Sequence, residues 1–207
     1  MTDPATLGVV LTGGLARRMG GGDKASIRLG STSILERTLE RLRPQCALLI
    51  INANGDGARF AASRLPVVAD SVPDFAGPLA GILAALDWAA DHAPDIAWVA
   101  SVPGDSPFLP RDLVARLHRA RADADARIAV ASSGGKVHPV TALWPVALRE
   151  DLRRALNDGV RRVGEWSARY ALATADWRTA PIDPFFNINT PEDAAEAKRL
   201  AAQFPEL

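Results

Sequence analysis

The sequence predicts an α/β fold: a single doubly wound, mostly parallel sheet with helices on both faces. Three observations carry that expectation. Short apolar runs suited to buried strands alternate with stretches of helical spacing, which implies right-handed crossovers between parallel strands. A glycine-rich turn follows the first run at once, within the segment from Leu7 to Lys24, LGVVLTGGLARRMGGGDK. Polar residues, Asn52, Asp70 and Asp105, stand at the ends of later runs, and ligands of such sheets bind beyond the carboxyl ends of the strands.

Leu7, Val9, Val10 and Leu11 form the first strand, which Gly13 and Gly14 break. Ile34, Leu35, Thr38, Leu39 and Leu42 then recur at helical spacing, with Ser31 to Ser33 as capping residues and Pro44 as a stop. Buried strands are predicted at 47–51, 67–69, 96–102 and 128–131. Helices are predicted at 79–90, opened by Pro78, and at 111–122, opened by Pro110, because proline suits the first helical position. Further along, 141–144 reads as a strand, 146–156 as a helix and 190–202 as a final helix. Thr190 caps that last helix, Pro191 takes its first position, and Glu192 and Asp193 complement its dipole. No repeat, linker or low-complexity tract interrupts the series, and 207 residues suit one domain rather than two.

Composition narrows the classes. Hydrophobic residues make up 48% of the chain and its formal net charge is zero, which suits a soluble globular protein and offers no electrostatic footprint for nucleic acid or an anionic membrane. The longest apolar stretches, 47–51 and 96–102, fall far short of the roughly 20 residues of a membrane-spanning helix. The opening MTDPATLG has no basic region followed by a hydrophobic core, so no secretory signal is expected and a cytoplasmic location is. Cys46 is the single cysteine, which excludes an internal disulfide or a multi-cysteine metal site; at the head of a strand it reads as core.

The glycine-rich turn implies a triphosphate. Glycine lets backbone N–H groups approach a phosphate closely and makes a concavity of fixed partial positive charge. Arg17, Arg18 and Lys24 add mobile charge to it. The loop is neither a Walker A sequence, since Lys24 lies between Asp23 and Ala25, nor a GxGxxG fingerprint. Lysine occurs only at 24, 136 and 198 among 24 basic residues, so a compact ammonium in this loop points to a task that a forked guanidinium would not fill.

The pattern LxGGxxxRMGxxDK resembles the signature of the molybdenum cofactor guanylyltransferases. Further segments follow in that family's order: IINAN (50–54), ADS (69–71), GPLAG (77–81), PGDSPF (103–108), HPVTAL (138–143) and FNINTPED (186–193). The resemblance spans nearly the whole chain, and its ordered set is more specific than the first signature, which several nucleotidyltransferases share. One departure is Thr12, where the family usually has alanine; its hydroxyl would lie near the base or ribose. The resemblance implies a nucleotide-diphospho-sugar-transferase-like Rossmann fold. The implied activity is transfer of GMP from GTP to the phosphate of molybdopterin, giving the guanine dinucleotide cofactor and pyrophosphate, with Mg2+. It also implies transient contacts with proteins that donate or receive the cofactor.

Such a transfer requires negative charge to be neutralised by a divalent ion, cationic side chains and backbone N–H groups. Asp105 is the candidate magnesium ligand, because hard oxygen suits that ion and one or two carboxylates plus substrate phosphates usually hold it; a turn-forming aspartate is the plainer alternative. Lys24 and Arg18 are the candidate catalytic cations, facing charge that builds on the pyrophosphate. Asp23 would orient Lys24. The resemblance makes Leu11, Thr12, Gly13, Gly14, Asn52 and Asp70 nucleotide-binding positions. Asp70 and Asn52 offer a carboxylate for the N1–H and N2 donors of guanine and an amide for O6, and which residue reads the base stays open. Arg161 and Arg162 are candidates for the acceptor phosphate, and Asn187 and Asn189 for the pterin ring; the resemblance links Arg162, Asn187 and Asn189 to cofactor handling. His138 is a weaker candidate, and His92 and His118 have no assigned role. A CTP-using or sugar-phosphate nucleotidyltransferase, and a catalytically idle nucleotide-binding module, are the competing readings.

Overall fold

The computed structural model describes residues 3–13, 27–72 and 77–206. Among them a seven-stranded sheet forms the middle of three layers. In chain order the elements are β1 (Thr6–Leu11), a short antiparallel pair β2 (Arg28–Leu29) and β3 (Thr32–Ser33), α1 (Ile34–Leu42), β4 (Leu48–Asn52), β5 (Val67–Val68) and α2 (Pro78–His92). There follow β6 (Trp98–Pro103), α3 (Leu113–Asp123), β7 (Ile128–Ser133), β8 (Lys136–Pro145), α4 (Arg149–Asn157), α5 (Val163–Ser167), β9 (Leu172–Trp177) and α6 (Pro191–Gln203). Strand order is β5-β4-β1-β6-β8-β7-β9. β8 runs antiparallel to both β6 and β7, and the other pairs are parallel.

The predicted doubly wound, mostly parallel fold is therefore present. Alternate residues of β1 point to opposite layers. Leu7, Val9 and Leu11 pack with α2, α4 and α5, and Val10 packs with α1 and α3. α2 is apolar almost all round because it lies in the middle of its layer, with Leu79 to Leu86 buried without interruption. A third cluster joins α6, through Ala194, Ala197 and Leu200, to Leu29, Ile34 and Phe108. Among the described residues no helix is long and apolar enough to cross a membrane.

Local chemistry explains several boundaries. Ser33 caps α1 in a reciprocal box with Glu36, at 3.2 and 2.6 Å, and Thr190 caps α6 in the same way with Asp193. α3 begins at Leu113, two residues beyond the predicted start. Side chains from the end of α1 and just beyond it bind the backbone ahead of α3: Arg41 Nη1 donates to the Leu109 carbonyl at 3.0 Å, and Gln45 Nε2 donates to that of Pro110 at 2.9 Å. The predicted helix at 146–156 divides into a 3-10 turn at Val146–Leu148 and α4. Cys46 is half-buried ahead of β4, and burial pushes its thiol up to about 12, as suits a core thiol.

Candidate active site

The sheet reverses its direction of growth beside β1. The chain runs outward from β1 to β4 and β5, then crosses by α2 to β6 on the other side of β1. The ends of these strands are level, with Leu11 opposite Asn52 on one flank and Pro103 on the other. A crevice opens at such a switch point, and Leu11, Thr12, Gly13, Asn52 and Asp105 all emerge around it.

Backbone bonding carries the sheet one residue past its strands. The Thr12 N–H donates to the Asn52 carbonyl at 3.0 Å, and the Gly104 N–H donates to the Leu11 carbonyl at 3.0 Å. The Thr12 hydroxyl also donates to the Asn52 carbonyl, at 2.8 Å, and the residue is buried. The hydroxyl expected near the base or ribose thus gives its proton to the backbone of β4. Two glycines set how closely the loops approach. A Cβ at Gly104 would lie 3.1 Å from Thr12 Cγ2, and a Cβ at Gly81 would overlap Asn52 Oδ1 outright. The glycine of GPLAG therefore lets the Asn52 side chain lie flat against the first turns of α2.

Asn52 is buried, with its Nδ2 donating to the Val68 carbonyl at 3.1 Å and to Asp70 Oδ1 at 2.9 Å. Asn54 completes the arrangement, donating from Nδ2 to Asp70 Oδ2 at 2.7 Å and accepting the Asp70 N–H at 2.9 Å. The Asp70 carboxylate thus accepts one amide on each oxygen.

Asp105 sits half-buried on the loop after β6, and its carbonyl accepts the Ile188 N–H at 3.1 Å. Beside it Ser106 Oγ donates to Asn187 Oδ1 at 2.6 Å, and Thr38 of α1 donates to the Ser106 carbonyl at 3.2 Å. PGDSPF and NINTPED are therefore one joined structure, which brings Asn187 to the loop carrying Asp105. Asn189 is exposed, and its N–H donates to Asp193 at 2.8 Å. Among the described residues no three His, Cys, Asp or Glu side chains gather to hold a metal ion. The donor set at Asp105 fits a cation that completes its shell with substrate phosphates.

The arginine pair divides. Arg161 Nη1 donates to the carbonyls of Leu156 and Val160, at 2.9 and 3.0 Å, and so caps the end of α4. Arg162 is exposed at the entry to α5. The Arg161 carbonyl lies 3.9 Å from the Cβ position of Gly77, so this loop borders the start of α2. His138 is bound to Ser133 Oγ at 2.9 Å, and that hydroxyl donates to Asp183 at 2.8 Å; this ties the β7–β8 hairpin to the 183–186 segment. Gly14, Arg17, Arg18, Asp23 and Lys24 lie outside the described residues. Asn54 and Ser106 were missed from the sequence as site residues, although both stand within motifs noted there, IINAN and PGDSPF.

A switch-point crevice edged by Gly13, amides and carboxylates suits a nucleotide-handling α/β enzyme, and the comparisons make the class a nucleotidyltransferase. The model of the MobA-like NTP transferase domain matches residues 8–173, and the chain belongs to that family. It is 61% identical over 200 residues to a molybdenum cofactor guanylyltransferase of Nitrobacter hamburgensis, covering 96% of each chain. A protein of the same name from Rhodopseudomonas palustris strain BisB5 is 59% identical over 199 residues, covering 96% of this chain and 95% of the relative. The crystal structure of molybdopterin-guanine dinucleotide biosynthesis protein A from Archaeoglobus fulgidus superposes with a TM-score of 0.73 at 23% identity, covering 96% and 99% of the two chains. A 4-diphosphocytidyl-2C-methyl-D-erythritol synthase from Anaerococcus prevotii reaches the same TM-score at 13% identity, covering 96% of each. The fold by itself therefore does not choose the base.

Proposed function

We propose that this enzyme transfers GMP from GTP to the terminal phosphate of molybdopterin, releasing pyrophosphate and forming the guanine dinucleotide cofactor. The observation that carries the reading is the joined loop pair at the switch point. It sets Asp105, on the nucleotide side, next to Asn187, on the acceptor side, through the Ser106–Asn187 and Asp105–Ile188 bonds. The high identity to named guanylyltransferases supports guanine over cytosine.

In the reaction an acceptor phosphate oxygen attacks the α-phosphorus. A new P–O bond forms, the bond to the bridging oxygen breaks, and pyrophosphate leaves with the electron pair. Leu11, Thr12, Gly13 and Gly14 bind the nucleotide. Asn52 and Asp70 hold the nucleoside. Arg18 and Lys24 face the departing phosphates, where positive charge stabilises what develops in the transition state. Asp105 would hold Mg2+, which when bound neutralises the phosphates and polarises the α-phosphorus. Arg162, Asn187 and Asn189 bind and orient the acceptor.

Pyrophosphate release measured with purified molybdopterin and magnesium, across GTP, CTP, ATP and UTP, tests this reading. A marked preference for GTP is expected. A preference for CTP assigns the enzyme to a sister activity, and GTP binding without pyrophosphate release makes it a carrier.

A further inference from the structure

We propose that Asn54 is a positioning residue, which latches the Asp70 carboxylate so that it presents two fixed acceptors to adjacent donors of the bound nucleoside. The inference rests on the nucleotide site proposed above and adds to it a residue and a recognition chemistry.

β5 is only two residues long, Val67 and Val68, paired with Ile51 and Asn52. The backbone bond from the Ala53 N–H to the Val68 carbonyl, at 3.0 Å, is the last between these chain segments. Asp70 lies two residues beyond it, where the ladder no longer fixes the chain. Side chains take over there. Asn54 uses both ends of its amide on the same residue, donating to Oδ2 at 2.7 Å and accepting the backbone N–H at 2.9 Å, which closes a ring. Asn52 holds the other oxygen at 2.9 Å, from a buried position packed on Gly81. The two amides approach opposite oxygens, so the carboxylate plane is set from both sides.

A carboxylate offers about four lone-pair positions, and the latch takes one on each oxygen. One remains on each. That pattern matches two neighbouring donors, which a guanosine nucleotide carries in two places: the N1–H and N2 amino edge of the base, and the ribose hydroxyls. Among the described residues no lysine or arginine forms an ion pair with Asp70. Its charge is held by neutral amides and stays available to strengthen bonds from the ligand.

Titration calorimetry of the full-length enzyme with magnesium and GTP, in the absence of acceptor, reads the latch directly. Asn54→Ala is expected to weaken GTP binding about tenfold, the scale of one well-placed bond to a charged group. In turnover the loss should appear in KM more than in kcat. In an Asp70→Ala background the Asn54→Ala substitution should have no further effect, because the residue acts only through that carboxylate. Inosine triphosphate and 2′-deoxy- and 3′-deoxy-GTP distinguish the two donor pairs. If Asn54→Ala erases the preference for GTP over inosine triphosphate, Asp70 faces the base edge; if it erases the preference over a deoxy analogue, Asp70 faces the ribose. Asn54 is exposed, so the variant should fold, which its melting curve verifies. Wild-type affinity in Asn54→Ala, or an undiminished loss in the Asp70→Ala background, overturns the latch. Failure of the guanylyl reading looks different: the wild-type enzyme itself would prefer CTP, or would release no pyrophosphate, whatever the ratio between wild type and variant.

Discussion

Thr12 gives both of its hydrogen-bond donors to one atom, the Asn52 carbonyl oxygen, with the backbone N–H at 3.0 Å and the hydroxyl at 2.8 Å. The residue that follows β1 and the last residue of β4 are thereby fixed to each other. The bond also explains why a threonine fits here without narrowing the crevice.

Thr12→Ala should therefore act on stability. The carbonyl keeps its backbone partner and loses a buried hydroxyl, a change of about 1 kcal/mol. For a domain of this size that is about 2–4 °C in Tm. Calorimetric melts of the two proteins check this, and an unchanged Tm would mean the hydroxyl bond contributes nothing.

Gly81→Ala should damage nucleotide binding. The new methyl occupies the place of Asn52 Oδ1 and presses on Leu11, and overpacking of this kind costs about 1–3 kcal/mol. Asn52 must swing away, which releases Asp70 from one of its two amides. A rise in the KM for GTP of tenfold or more is expected, with a smaller change in the KM for molybdopterin.

Asp105→Ala should lower kcat by about two orders of magnitude or more, the scale seen when a group that stabilises transition-state charge is removed. The fold should persist, since the bond from Ile188 goes to the Asp105 backbone carbonyl. Added manganese or magnesium should not restore the rate. Turnover within a few-fold of wild type would take Asp105 out of the site.

Stability should fall in mild acid. Burial holds the imidazoles of His118 and His138 below the ordinary value of 6.5. The Thr6 hydroxyl donates to Pro4, so the His118 Nε2–H donates to Thr6 at 2.8 Å; Nδ1 is buried with no hydrogen-bond partner among the described residues. A proton added there would have no hydrogen-bond acceptor, and burial of the charge outweighs the attraction of Asp3. Because the unfolded chain takes up protons at higher pH than the native one, stability is complete above about 6.5 and declines as pH drops below it. Urea midpoints at pH 7.5 and 5.5 measure the slope, which His118→Gln should reduce.

Much of this architecture was legible because local signals agreed with the final packing. β1, β4 and β6 are buried on both faces and appear as plain apolar runs, and α6 carries its start signal in the order Thr190, Pro191, Glu192, Asp193. β9 was missed. It alternates buried and exposed residues with small alanines, and lies at the edge of the sheet where no long apolar run is required. β8 extends five residues ahead of its predicted start, because Lys136 to Val140 are partly exposed and only the buried end reads as apolar. In the site, single residues at strand ends could be named but not their bonds. Asn54 meets Asp70 across 16 positions, and Ser106 meets Asn187 across 81. Nothing local to either residue marks such partners.

The reversed strand β8 divides the proposed contacts along the chain. The residues proposed for the nucleotide all precede it in the chain, whereas those proposed for the acceptor, Arg162, Asn187 and Asn189, follow it. Chimeras joined within the Gly134–Gly135 hairpin would therefore exchange the proposed acceptor residues while leaving the proposed nucleotide residues of this chain in place.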